Sequence, residues 1–197
     1  MKRILIYEAT NFGEFLRKIA IDYVRYGYFF YSVGIVPQRK DSKIFDEKIL
    51  KKYEISFHRT TRARRKKEGI AVFAYVRFGY KMVLLSTEGD HPAFETWDYQ
   101  DCRKNPIYIS GYTIGIKNQK VNVQMSEKRV RALKKLLSSI ALHNESKLTD
   151  FFKRMNRIFF PGIIRQEYKL LTMVNKKRKS AGLPRIRILA PTDNQRR

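Results

Sequence analysis

The chain has 197 residues, 43% apolar and 13% aromatic, which excludes a disordered polymer and fits one domain with a helical extension. It carries 42 Lys+Arg against 18 Asp+Glu, a formal net charge of +24 with a pI of about 10.2. Self-repulsion on that scale destabilises a compact fold unless a polyanion neutralises it, which points to nucleic acid ahead of an anionic membrane.

Cys102 is the one cysteine, so an intramolecular disulfide and a cysteine-rich zinc site are both excluded. Ile4-Leu5-Ile6-Tyr7 is too short for a signal peptide. The longest apolar run, Tyr28 to Val36, falls well below the roughly 18 residues of a bilayer span. The expectation is a soluble, intracellular protein with no membrane partner, cytoplasmic or, in a eukaryote, nuclear.

Asn11-Phe12-Gly13-Glu14 reads as a capping box. Behind it Phe12, Phe15, Leu16, Ile19, Ala20, Tyr23 and Val24 recur at helical spacing until Gly27. Tyr28 to Val36 follows as a buried strand, ended by Pro37. A short helix is expected from Asp41 to Tyr53, with Ile44, Phe45 and Ile49 inward and Leu50 beside them.

Next comes a dense basic segment, with Arg59, Arg62, Arg64, Arg65, Lys66 and Lys67 inside nine residues. Thr60 or Thr61 is placed to cap a helix there. With Ala63 almost its only apolar residue, this helix has no core face and is bridging, solvated or bound to a ligand. Six cations with no interleaved acid favour phosphate contact over a merely solvated face. Gly69 ends the segment, and Ile70 to Phe78 and Tyr80 to Ser86 form a hairpin about Gly79-Tyr80. Val72, Ala74, Val76 and Phe78 alternate with Phe73, Tyr75 and Arg77. Tyr75, Arg77, Tyr80 and Lys81 are candidates for one exposed face on which Tyr75 and Tyr80 stack bases, with half-burial under a helix the simpler expectation for Tyr75.

A carboxylate-rich loop follows: Glu88, Asp90, His91, Glu95, Asp98 and Asp101 put five of the 18 acids and one histidine into fourteen residues. Oxygen-rich clusters bind Mg²⁺ or Mn²⁺, and such ions clamp the oxygens of a phosphodiester under attack. Glu88, Asp90 and His91 are therefore the catalytic candidates, and Glu88, Asp90 and Glu95 the metal candidates, of a metal-dependent nuclease. The simpler expectation is a loop whose acids pair with nearby arginines. Ile107 to Ile116 and Val121 to Met125 form a second hairpin around Lys117-Asn118-Gln119-Lys120.

Ser126 caps a helix with the stripe Val130, Leu133, Leu137, Ile140 and Ala141, and Lys134 and Lys135 on its outer face. A second helix follows Asn144-Glu145-Ser146, and a third follows Pro161-Gly162, ending near Gly182 with Lys176, Lys177, Arg178 and Lys179 in its last turn. Residues 126–197 hold 19 Lys+Arg and 5 Asp+Glu, net +14, which leaves 23 and 13 for residues 1–125.

The fold class is α+β: an antiparallel sheet of about five strands with an N-terminal helix and a basic three-helix C-terminal part. Residues 1–125 form the core, 126–182 a basic helical part packed on it, and 183–197 a frayed tail. The expected function is binding of RNA or single-stranded DNA, alone or with protein partners in a nucleoprotein complex. Arg59, Arg62, Arg64, Arg65, Lys66 and Lys67 would hold phosphates together with Lys134, Lys135 and Lys176 to Lys179, with no cofactor. The alternative is a metal-dependent nuclease or nickase of mobile-element or plasmid type using loop 88–101, with Mg²⁺ or Mn²⁺. His-Glu-x-x-His, Gly-x-Ser-x-Gly and Gly-rich phosphate-loop motifs are absent from the sequence, which argues against those hydrolase classes.

Overall fold

Asn11 starts the first helix as its spacing predicts: its Oδ1 accepts from Glu14 N at 2.9 Å. The Glu14 carboxylate accepts from Thr10 N and Oγ1 rather than from the cap residue itself, and these bonds hold its pKa below the ordinary value. The structure, a computed structural model, describes residues 7–37, 41–55, 58–155 and 158–187. Over them the fold is α+β, with six α-helices and two antiparallel sheets. Two compact units divide the chain: Met1–Ile109 with Ile114–Val121, and Ser110–Thr113 with Asn122–Arg197.

In the first unit, α1 (Phe12–Arg17) widens into a π-helical turn, Lys18–Tyr23, tightens into a 3₁₀ turn, Val24–Tyr26, and stops at Gly27 with φ 89°. Four strands follow the sheet order β2-β3-β1-β4, where β1 is Phe30–Ile35, β2 Phe73–Phe78, β3 Lys81–Ser86 and β4 Gln100–Asp101. Gly79, at φ 57°, turns β2 into β3. Phe78 meets Phe12 and Phe15 of α1 on one sheet face. The opposite face carries Phe73, Tyr75 and Leu84 under Tyr53, Ile55 and Trp97, so both faces of β2 are buried.

Two expectations change here. The strand after Gly27 is not buried along its length, because β4 pairs with β1 only at Phe30 and Tyr31; Val33 and Ile35 are 46% and 73% exposed. In α2 (Ser42–Lys52) Ile44 faces solvent, and the buried residue is Asp46.

Strands β5 (Ile107–Ile109), β6 (Tyr112–Lys117) and β7 (Lys120–Met125) make the second sheet. The run expected as one strand breaks because Ser110 and Gly111, at φ 48° and 85°, form a reversing turn. The second unit continues with α4 (Glu127–Ile140), α5 (Glu145–Met155) and α6 (Pro161–Ser180). Ser126 caps α4 as expected, its Oγ accepting from Arg129 N at 3.3 Å. Pro161 opens α6, where its missing N–H costs nothing. Gly162 lets α6 approach β7, since a Cβ there would run into the Val123 carbonyl oxygen. The Gln166 amide then bonds both backbone groups of Met125, at 2.7 and 3.0 Å. Successive contacts, Ser138 with Met173 and Ala141 with Arg178, rise along both α4 and α6, so the two run in the same direction.

Candidate nucleic-acid interface

The basic segment is a helix, α3 (Arg59–Lys67), with no buried residue. His58 caps it instead of a threonine: its Nδ1 accepts from Thr60 N and lies 3.0 Å from Thr60 Oγ1. The six cations split into two sets. Arg62, Arg65 and Lys66 turn onto the protein. Arg65 pairs with Glu54 at 2.9 Å. Lys66 Nζ donates to the Tyr26 carbonyl at 3.1 Å and sits 4.2 Å from the Tyr28 ring centre; burial, then the neighbouring Arg62, lower its pKa. Arg62 Nε is buried with no hydrogen-bond partner among the described residues. Burial pushes Tyr23 up to about 12 and raises Tyr28, with the Arg62 charge opposing both shifts. Arg59, Arg64 and Lys67 are the exposed set, with Arg64 3.6 Å from Glu68.

Tyr75 and Arg77 do not join a binding face, which corrects the expectation for both. They lie on the inner face of β2, 1% and 5% exposed. Tyr75 Oη donates to Asp46 at 2.6 Å, and Arg77 Nε bonds the other Asp46 oxygen at 2.9 Å. Arg77 also reaches Glu8 at 2.9 Å and the Gly79 carbonyl at 2.9 Å. A charge out of water needs such partners, and Asp46 supplies the first of them. Tyr80, in the turn, is 51% exposed and open to contact.

The acidic loop is held by bonds of its own. Arg103 takes Glu88 at 2.6 Å and Asp101 at 2.7 Å, and its hydrogen bonds keep the Asp101 pKa below the usual carboxylate range. The Asp90 backbone bonds Gly69 and Ala71, and His91 Nδ1 caps the short 3₁₀ turn Pro92–Glu95. Among the described residues no three His, Cys, Asp or Glu side chains gather as a metal would need. Asp90 and His91 do line one groove of about 500 Å³ with Lys52, Glu54 and Arg65, but Glu88 and Glu95 are not part of it.

In the second unit Lys134 and Lys135 on α4 and Lys176, Lys177 and Lys179 on α6 are exposed, and none is in an ion pair among the described residues. Arg178, expected among them, is 2% exposed. Its guanidinium bonds the carbonyls of Pro184 at 2.7 Å, His143 at 2.9 Å and Ala141 at 3.1 Å, tying together the chain ends after α4 and α6. Arg178 is therefore structural. The 183–197 tail is also anchored as far as the structure describes it: the Asn175 amide clamps Ile186 N–H at 2.8 Å and C=O at 3.0 Å, and Ile186 is buried. Residues 188–197 lie outside the described residues.

That strap completes a groove of about 390 Å³ along α6, lined by Tyr168, Leu171, Thr172, Asn175, Lys176, Lys179 and Arg185. Tyr168 and Arg185 were not singled out by the sequence. Tyr168 was legible, since positions 168, 172, 175, 176 and 179 share a helical face. Arg185 was not, because only the Asn175 clamp brings it there. Elsewhere in this unit the Arg129 guanidinium lies 4.6 Å from the Tyr112 ring centre, and burial raises Glu167 to about 7 with the Arg129 charge opposing.

No protein-family model matches the chain, and no curated protein is significantly similar to it.

Proposed function

We propose that the protein binds nucleic acid, RNA or single-stranded DNA, through the phosphate backbone. The observation that carries this reading is the unmatched charge of the second unit. Residues 110–113 and 122–125 carry no charge, so this unit holds the 19 Lys+Arg and 5 Asp+Glu of residues 126–197. Its exposed lysines have no carboxylate partner among the described residues, and phosphates would neutralise them with release of counterions. Arg59, Arg64 and Lys67 of α3 are a second contact set. Purification at low salt followed by nuclease treatment tests this: the chain should carry nucleic acid and retain added oligonucleotide. A clean protein that retains neither strand type would contradict it.

A second reading, metal-dependent cleavage, rests on the groove that Asp90 and His91 share with Glu54 and Arg65, whose carboxylates and imidazole do not gather as a preformed metal site among the described residues. Asp90→Ala would then abolish Mn²⁺-dependent cutting of a labelled oligonucleotide and leave binding intact.

A further inference from the structure

The α6 groove combines features that a purely electrostatic surface does not need. Three cations, Lys176, Lys179 and Arg185, surround it and no acid lines it. At its rim stands Tyr168, 70% exposed, with no ring partner among the described residues. From Tyr168 to Lys179 the helix rises about 16 Å, so aromatic and cationic groups are spread along one track. The backbone that carries the third cation is fixed on both sides: Arg178 holds the carbonyl before Arg185, and Asn175 holds both backbone groups of the residue after it.

We propose that this groove is a single-strand subsite, in which Tyr168 stacks one base of a single-stranded polynucleotide while Lys176, Lys179 and Arg185 hold its phosphates. The inference rests on the nucleic-acid reading above and narrows it. Cations alone would hold a duplex as well. A tyrosine face adds affinity only where a base face is unpaired and unstacked, so the groove selects single strands. An anionic lipid surface fits less well, because a helix that lies in a membrane buries an apolar face, and here Tyr168 is the exposed apolar group among three cations. The pre-set backbone around Arg185 lowers the ordering cost of the contact.

The test uses the full chain with oligo(dT), oligo(rU), a duplex of equal length and phosphatidylserine vesicles. Tyr168→Ala should weaken one or both single strands by roughly five- to a hundredfold and leave the duplex unchanged, and Tyr168→Phe should restore binding. The triple change Lys176→Ala, Lys179→Ala, Arg185→Ala should weaken strands and duplex alike. Single-strand binding that survives Tyr168→Ala, beside a triple variant that weakens every probe, overturns the stacking site and leaves the nucleic-acid reading standing. A wild-type chain that binds neither strands nor duplex overturns both. Vesicle binding without oligonucleotide binding, lost in Tyr168→Ala, would make the groove a lipid contact and likewise overturns both.

Discussion

The two units treat positive charge differently. In the first, several arginines meet carboxylates: Arg77 meets Asp46 and Glu8, Arg103 meets Glu88 and Asp101, and Arg65 meets Glu54, while Lys66 meets a backbone carbonyl and a tyrosine ring. In the second, the buried Arg178 meets only backbone carbonyls, and the exposed lysines of α4 and α6 meet no acid among the described residues. The difference follows from supply, 13 acids for 23 cations against 5 for 19. With so few acids, the second unit satisfies its buried arginine with carbonyls and leaves the exposed lysines of α4 and α6 without a carboxylate among the described residues. The +24 charge is thus no uniform property of the surface, and the densest basic run in the sequence, α3, is half structural.

The largest effects should come from the two buried arginines. Asp46→Ala removes the buried partner of Tyr75 and leaves Arg77 only Glu8 and the Gly79 carbonyl, and should cost about 3 kcal/mol in a denaturant titration. Arg178→Ala leaves three carbonyls without their donor and should cost roughly 3 kcal/mol. If either change were neutral, that unit's way of neutralising charge would be misassigned.

Within α3 a smaller and sharper contrast is expected. Arg62→Ala with Lys66→Ala should lower stability by about 1–2 kcal/mol through lost packing and cation–π contact. Arg59→Ala, Arg64→Ala and Lys67→Ala together should leave the melting temperature in place and weaken oligonucleotide retention. Melting curves and a retention assay on both variants separate the inward set from the outward one.

A pH effect is also expected in the second unit. Glu167 is raised from 4.5 to about 7, so the folded state keeps a proton that the unfolded chain releases at lower pH. Its contribution is fully present below about 4.5 and is lost as pH rises through about 7. The second unit should therefore lose stability over that window, and Glu167→Gln should flatten the loss. A melting profile in which the variant follows the wild type would exclude the residue as its cause.

Much of the fold was legible because its signals are local. The Asn11 and Ser126 caps, the Gly79 turn and the α4 stripe each depend on a few adjacent residues. At Tyr75, Arg77 and Arg178 the decisive contacts are long-range. Tyr75 and Arg77 alternate as an exposed strand face would, and only Asp46, 29 and 31 residues away, shows that this face is inside. Arg178 looks like its lysine neighbours until the carbonyls of Ala141 and His143 close on it. The Ser110-Gly111 turn is masked locally, since β-branched and aromatic residues on both sides read as one continuous strand. The groove along α6 was half legible: its tyrosine and lysines follow helical spacing, but Arg185 depends on a strap made after the helix ends.

The most direct measurement is the salt dependence of oligo(dT) binding by the wild-type chain and by a Lys176→Gln, Lys177→Gln, Lys179→Gln variant. With each single-strand phosphate contact worth about 0.7 in the slope of log K against log salt, the variant should bind more weakly with a slope shallower by about 2. A variant with the wild-type slope and affinity would show that the unpaired lysines of the second unit meet no phosphate, and would contradict the account at its centre.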